Sequence, residues 1–557
     1  MFFNLLLLVS LNLFSPSPNV SRIKIYFRYL VLLLFIGSSI IDSTAQTSPN
    51  QPNILLIISD DLGVDNSNGY QESARLPNTP NLDALRANGL TFKNAWASPV
   101  CAPTRANIMS GKYGIKTGVL EVPGVLATTH TSIFREIATQ TNNAYANALI
   151  GKWHLSGPST DYTIPRQHGI NYYEGSARGS VQDYYNWEKV SNETTSRETE
   201  YATTYYTNRA IDWIGNQNQP WFMWLAHTAP HSPLHVPPSD LFTVENTNND
   251  QGKYIAMIEA MDTEIGRLLS NIPADVLANT IIIYIGDNGT PNGLLQNFPN
   301  RHGKGSLYQG GVHVPMIVAG AGVSRQNEEE EAMIHATDIY ATILELSGTA
   351  LAGGIYNSLS FKHLLTGSNG PKRIFNYAEE GNDWTIRNTQ YKLIQLTNGR
   401  QEFYDLIADP LETNNLINNL TTNQVAIKAE LETEGRQIRT GWSCNDFILN
   451  GEETTIDGNC DGAEVIISSV KDLAYFSLSI YPNPATDLLI LQSKEGLKNN
   501  LTLSLYDSNG KLILQKQVNQ GTDIHSIDVS NFENGAYILQ LSDGVSIGRQ
   551  KILIMHP

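Results

Sequence analysis

Cysteine is scarce in this chain, with three residues in 557, at positions 101, 444 and 460. None lies in the apolar N-terminal stretch, which argues against a lipid-anchored lipoprotein. Basic residues are also few: 37 Lys and Arg face 54 Asp and Glu, a net charge of −17. That balance disfavours nucleic acid as a partner and reads as a well-solvated surface; an anionic substrate would have to be drawn by a few basic groups focused in a pocket. Long apolar runs are missing as well. The two N-terminal runs, 2–14 and 29–41, fall short of the roughly 18–20 residues of a spanning helix. Arg22, Lys24 and Arg28 precede the second run and small residues close it at Ser43-Thr44-Ala45, the layout of a secretory signal peptide over 1–46. Within that region the first run reads as part of an over-extended start or an unusual leader, with a short membrane hairpin as the alternative.

What is present reads as globular. The 41% hydrophobic content argues against wholesale disorder, and the length calls for two or more domains. From 50 to 350 short β-branched runs alternate with helical stretches, which predicts an α/β sheet covered on both faces. The acidic run Glu328 to Glu331 is expected to be a solvated loop, and 351–441 a smaller mixed subdomain. A turn-rich linker over 442–468 holds Cys444 and Cys460, expected in an oxidising compartment to form a disulfide worth about 3 kcal/mol. Its Asp/Asn/Gly density suits either a structural Ca2+ site or a plain linker. Residues 470–557 turn to short alternating strands with turns at Asp507-Ser508-Asn509-Gly510 and Ser542-Asp543-Gly544, the signal of an all-β sandwich.

Chemistry gathers where the strands end. NILLIIS at 53–59 runs into Asp60-Asp61, and TIIIYIG at 280–286 into Asp287-Asn288. Carboxylates buried there are costly unless neutralised, and open α/β sheets collect ligands at the carboxyl ends of their strands. Four oxygen ligands suit a hard divalent cation, with no His or Cys competing for a softer one. Helix capping by Asp and Asn is the plainer alternative for one pair; two pairs in this layout read as a metal site. Further along, Ala148-Leu149-Ile150 leads into Gly151-Lys152-Trp153-His154, WFMWLA at 221–226 leads into His227 and His231, and Gly303-Lys304-Gly305 precedes His313. Cys101 sits in Pro99-Val100-Cys101-Ala102-Pro103-Thr104-Arg105. A lone cysteine is usually a small buried hydrophobe. Pro103 suits a first helical turn, which puts Cys101 just ahead of a helix N-terminus that favours an anion, with Arg105 folding back to the same place.

Cys-x-Pro-x-Arg at 101–105, with Ser110-Gly111 downstream, resembles the signature of the formylglycine-dependent, arylsulfatase-like (type I) sulfatases. Lys152, His154, His231 and Lys304 match that pattern residue by residue, and Tyr404-Asp405-Leu406, Asp409-Pro410, Glu412 and Asn415-Leu416 resemble the end of its catalytic region. The resemblance implies an alkaline phosphatase-like mixed sheet sandwiched by helices, then a smaller C-terminal α+β subdomain. It implies Cys101 oxidised to formylglycine by a formylglycine-generating enzyme, the hydrate attacking sulfur to give a covalent sulfo-enzyme. It further implies Ca2+ held by Asp60, Asp61, Asp287, Asn288 and the residue-101 oxygen, and Arg105 holding the hydrate. Lys152 and Lys304 would hold the sulfate oxygens, His231 would act as general acid, and His154 would take the proton that expels sulfate. Thr104 stands where the family often has Ser, and Val312-His313 where it often has an Ile/Val-Arg pair. His227 and His313 match no catalytic role and are expected either to support the site residues or to pack.

The stretch from Ile480-Tyr481-Pro482-Asn483-Pro484 to Gly535-Ala536-Tyr537 resembles the C-terminal sorting domain of the bacterial type IX secretion system. It implies export through the periplasm to the surface or medium; a carbohydrate-binding or spacer sandwich is the alternative. The expected substrate is a sulfated carbohydrate: an algal polysaccharide such as ulvan or carrageenan, or its oligosaccharides, ahead of host glycosaminoglycans. The aromatic set Tyr172, Tyr173, Tyr184, Tyr185 and Trp187 reads equally as a sugar-stacking surface or as lid packing. Two rival functions stand beside this: a phosphodiester or phosphonate hydrolase on the same fold, and an inactive glycan-binding protein.

Overall fold

The computed structural model describes residues 51–70, 75–159, 161–349, 354–440, 446–449, 452–455, 478–493, 500–506, 512–521, 524–542 and 547–556. The expected signal segment, the Cys444–Cys460 pairing, most of the linker and the turns at 507–510 and 543–544 lie outside the described residues.

The central strand is β1 (Asn53–Ser59), flanked in parallel by β7 (Trp221–Ala226) and β8 (Thr280–Gly286). Side chains alternate across a strand. Ile54, Leu56 and Ile58 therefore enter one core, and Leu55 and Ile57 the other. That double burial is why NILLIIS, TIIIYIG and WFMWLA are unbroken apolar runs. Each fully buried Leu or Ile contributes about 1.5–3 kcal/mol of transfer free energy.

Beyond β7 lie β3 (Ala146–Lys152) and β4 (Tyr172–Ser176), both parallel, then the antiparallel β5 (Trp187–Ser191) and β6 (Thr194–Glu198). On the other side β9 (Met316–Gly320) runs antiparallel to β8 and to β2 (Gly89–Trp96), and β10 (Glu328–His335) runs parallel to β2. Helices α1 (Pro80–Ala87), α4 (Ala202–Gly215) and α5 (Asp250–Asn271) cover one face. Helices α2 (Cys101–Ser110), α3 (Ile133–Gln140) and α7 (Asp338–Leu346) cover the other. The short α6 (Gln309–Val312) precedes β9.

The expectation of a solvated loop at Glu328 to Glu331 is corrected: these residues open β10, with Glu328 paired to Leu90 of β2. The edge of β2 needs backbone partners, and the acidic side chains stay exposed or paired. Lys93 lies 3.1 Å from Glu329, and Arg325 lies 2.8 Å from Glu328 and also meets Glu330. Solvent exposure was read correctly, but backbone pairing was not.

After the hairpin of β11 (Gly354–Ile355) and β12 (Ser358–Leu359), β13 (Lys372–Arg373) joins the edge of the main sheet. A separate antiparallel meander follows: β14 (Asn376–Glu380), β15 (Asp383–Arg387), β16 (Tyr391–Gln395) and β17 (Gln401–Asp405). It packs with α8 (Thr422–Thr440) around Tyr377, Trp384, Leu393, Phe403 and Leu431. β18 (Asp446–Leu449) and β19 (Glu452–Thr455) complete a 13-stranded main sheet.

The C-terminal segment forms two antiparallel sheets. One holds β20 (Leu478–Tyr481), β21 (Leu488–Ser493) and β24 (Ile524–Asp528). The other holds β22 (Leu501–Tyr506), β23 (Leu512–Val518), β25 (Gly535–Ser542) and β26 (Ile547–Ile554). Leu489, Leu491, Leu503, Leu539 and Ile552 share one core between them, a β-sandwich. Among the described residues no helix is long and apolar enough to cross a membrane.

One buried ion pair ties α7 to β13. Arg373 donates to Asp338 Oδ2 at 2.9 Å, to Tyr113 Oη at 2.8 Å and to the Asn357 carbonyl at 2.9 Å. Arg373→Met leaves a buried carboxylate without its counter-ion and should cost about 3–5 kcal/mol in urea unfolding. A cost below about 1 kcal/mol, the range of exposed pairs, would show that Asp338 needs no cation.

Candidate active site

Chain direction brings the chemistry together. β1 and β8 are parallel neighbours, so Asp60-Asp61 and Asp287-Asn288 leave the same edge of the sheet. All four are buried. The Asp61 amide donates to Asp287 Oδ1 at 3.1 Å, and Asn288 Nδ2 donates to Asp61 Oδ1 at 2.9 Å. β3 ends beside them and delivers Lys152, whose Nζ lies 2.6 Å from Asp60 Oδ2. Lys304 Nζ lies 2.5 Å from Asp61 Oδ1. Arg105, fully buried in α2, donates through Nε and Nη2 to Asp287 Oδ2 at 3.2 and 2.8 Å, and through Nη1 to the Lys152 carbonyl at 2.9 Å.

Cys101 is the first residue of α2, with Val100 as the N-cap. Cys101 thus lies inside the helix and not just ahead of it as the sequence suggests, and Pro103, which needs no amide partner in the first turn, sits two residues further in. Cys101 Sγ lies 3.3 Å from His154 Nδ1. His231 Nε2 lies 3.7 Å from Asp61 Oδ2 and is the more open of the two histidines. All ten residues expected at the site from the sequence therefore converge: Asp60, Asp61, Cys101, Arg105, Lys152, His154, His231, Asp287, Asn288 and Lys304.

The electrostatics follow from burial against neighbouring charge. Burial alone would raise Asp60, but Lys152, then His231, Arg105 and Lys304 hold it well below the usual carboxylate range. Asp287 is pushed up to about 6, by burial first and then by the Asp60 charge. Burial also pushes the Cys101 thiol up, so an unmodified cysteine here is not an activated thiolate. Burial, then Lys152 and Arg105, lowers His154 to about 2 and keeps its ring neutral. Lys304 is pushed up and stays charged because the Asp61 and Asp60 carboxylates outweigh its burial.

Two buried oxygens, Asp60 Oδ1 and Asn288 Oδ1, accept no hydrogen bond. Orphaned buried acceptors cost about 1–3 kcal/mol each, and both belong to the acidic strand ends. Asp60, Cys101 and Asp287 can point one atom each at a common centre, as can Asp60, Asp61 and His231. This oxygen-rich set fits a hard divalent cation.

Some supports carried no sequence signal. A Cβ on Gly179 would lie 2.3 Å from His154 Nε2, so backbone there closes over the imidazole. Tyr184 Oη lies 2.7 Å from the carbonyls of both Thr228 and His231 and anchors the loop carrying His231. Tyr173, Tyr184 and Trp187 are buried, which favours packing over sugar stacking for these three; Tyr185 is 39% exposed. His313 bonds the Lys93 carbonyl at 2.7 Å. His227 is buried and lowered to about 3 by burial.

A mixed α/β sheet with acidic strand ends, three facing cations and a helix-start cysteine places the molecule in the alkaline phosphatase-like class. The family profile described as Sulfatase matches residues 52–349, more than half of the chain, and the chain belongs to that family. The C-terminal region of N-sulphoglucosamine sulphohydrolase matches 301–440, and the Secretion system C-terminal sorting domain matches 479–555. Arylsulfatase J of Mus musculus is 28% identical over 55% of this chain and 53% of its own length. An ulvan-active sulfatase of Formosa agariphila is 25% identical over 72% of this chain and 85% of its own. The chain spans about half to two thirds of the first mammalian relatives it matches. The crystal structure of Ps i-CgsB in complex with k-i-k-neocarrahexaose superposes with a TM-score of 0.60 at 25% identity, over 70% of this chain and 93% of that one.

Gly179→Ala should push the His154 ring off Cys101 and lower kcat by about 10²-fold, the scale of a lost proton transfer, with little change in melting temperature. Wild-type kcat in Gly179→Ala would show that the close approach is not needed.

Proposed function

We propose that this protein is an exported, Ca2+-dependent sulfatase that hydrolyses sulfate esters of a sulfated carbohydrate through formylglycine at position 101. The supporting observation is the convergence of a helix-start Cys101 with the acidic strand ends and with Arg105, Lys152, His154, His231 and Lys304. We read 1–46 as a signal region, 50–350 as the catalytic domain, 351–441 as its subdomain, 442–468 as a linker and 470–557 as the type IX sorting domain.

Converted and metal-loaded, the site supplies a nucleophilic oxygen at residue 101 and a Lewis acid beside the sulfate. The chain's own residues do the remaining work. Asp60, Asp61, Asp287 and Asn288 would hold the cation. Arg105 fixes Asp287 and frames the nucleophile, while Lys152 and Lys304 meet charge that builds on the sulfate oxygens. His154 Nδ1, 3.3 Å from the Cys101 side chain, accepts and returns a proton there. His231, on the open side, protonates the departing alcohol. Net reaction consumes one water and releases alcohol, sulfate and one proton. The ulvan-active relative and the neocarrahexaose-bound neighbour support an algal polysaccharide or its oligosaccharides as substrate.

Mass spectrometry of the tryptic peptide 94–105 from natively produced protein should find formylglycine at 101, and that protein should release sulfate from ulvan or carrageenan oligosaccharides. An intact thiol in active protein would end the mechanism. Faster cleavage of an aryl phosphodiester than of any sulfate ester would end the substrate assignment.

Chelation of divalent cations should lower the melting temperature and added Ca2+ restore it, because a ligand that binds only the folded state stabilises it. A melting temperature indifferent to both would remove Ca2+ from the site.

A further inference from the structure

Lys304 sits on a loop gripped from outside the main sheet. Leu307 is buried among Ile394, Tyr404 and Leu406 of the meander region. Tyr308 Oη donates to Glu402 Oε2 at 2.7 Å, as does Tyr404 Oη. The Gln309 amide donates to Glu412 Oε2, and Lys392 Nζ lies 2.6 Å from Glu412 Oε1 with both side chains fully buried. Three consecutive residues, starting three positions after Lys304, are thus each held by β16, β17 or the turn that follows them.

The grip continues toward Cys101. Gln309 Oε1 accepts from Trp96 Nε1 at 2.9 Å, and Lys392 Nζ lies 5.0 Å over the Trp96 ring. Trp96 ends β2, five residues before Cys101. The Ala97 amide donates to the Val312 carbonyl at 2.8 Å, and the Gly305 amide to the Pro99 carbonyl at 2.9 Å. The loop before Cys101 and the loop of Lys304 are therefore cross-tied, and the tie ends on one buried Lys–Glu pair.

A buried ion pair adds little net stability, since well-packed apolar replacements are often neutral or better. What it does supply is direction: a carboxylate fixed by Lys392 can receive the Gln309 amide in only one place. We propose that the meander subdomain is a clamp that sets the position of Lys304, with Glu412 as its central positioning residue. Among the described residues, the Glu412 carboxylate meets the Gln309 amide and Lys392, not the acidic strand ends.

The inference rests on the role proposed for Lys304, so Lys304→Ala is measured first: an unchanged kcat on a small aryl sulfate removes that role and the clamp with it. Two charge-free variants are then compared. K392M/E412Q keeps a carbonyl acceptor for the Gln309 amide, and K392M/E412L does not. Because small misplacements at a reacting centre cost about 10²-fold, kcat of the Leu variant should fall on that scale below the Gln variant. KM and melting temperature should stay close between the two. In the Lys304→Ala background, measured by single turnover, the Gln-to-Leu change should cost nothing further, since residues acting as one unit are not additive. Equal kcat in the two variants overturns the clamp, as does a loss of full size that persists without Lys304. Should the Leu variant fail to fold, Tyr308→Phe takes its place: a several-fold kcat loss that vanishes in the Lys304→Ala background supports the clamp, and wild-type kcat refutes it.

Discussion

Neutralisation of three buried carboxylates is the condition on which the reacting end of this molecule depends. Asp60, Asp61 and Asp287 leave adjacent strands with almost no solvent, where an unpaired carboxylate would take up a proton or unfold the strand ends. Lys152, Lys304 and Arg105 each reach one of them. Those reaches fix the geometry around them. α2 must lie over β3 for Arg105 to bond Asp287 and the Lys152 carbonyl together. β3 and β7 must approach so closely that a Cβ on Gly151, at φ +105°, would lie 1.9 Å from the Ala226 carbonyl oxygen. The glycine before Lys152 is thus part of the charge balance.

How much of this the sequence carried depends on whether a feature has a local cause. β1, β7 and β8 were legible because burial on both faces leaves the interior of each strand an apolar run, with polar residues only at the ends. The acidic strand ends were legible because buried carboxylates need a reason, and Lys152, His154, His231 and Lys304 because each lies in a recognisable segment. β10 was missed because Glu328 to Glu331 signals solvent, which is true of the side chains but silent about the backbone. Gly179 could not be found, since its contact with His154 is a meeting of two distant segments. Tyr184 and Tyr185 look alike in sequence, and only the loop below them decides that one is buried and the other exposed.

The second family match begins at residue 301 and so overlaps the first. The overlap has a physical counterpart. The stretch from Arg301 to Val312 supplies Lys304 to the acidic strand ends while its next residues pack on β16 and β17. A boundary drawn near 350, where the alternation of strands and helices ends, follows the chain, whereas the forces holding this loop cross it. Tyr404 and Glu412, far in sequence from any acidic strand end, are thereby tied to the loop that carries Lys304.

The chain's overall acidity then ceases to be a difficulty. Three carboxylates against three cations leave the pocket near neutral, and the divalent ion proposed for it would make it positive by two. Such a pocket attracts a sulfate ester at contact range even though the molecule carries −17. Screening over about 8 Å at physiological salt removes most of the distant repulsion, while charges inside the pocket are screened far less. Exposed carboxylates such as Glu328 and Glu329 keep the surface solvated without setting the field that the reacting group meets. Affinity for an anion would therefore be decided by the charges inside the pocket, the proposed divalent ion first among them, and the count of acidic residues elsewhere has little weight in it.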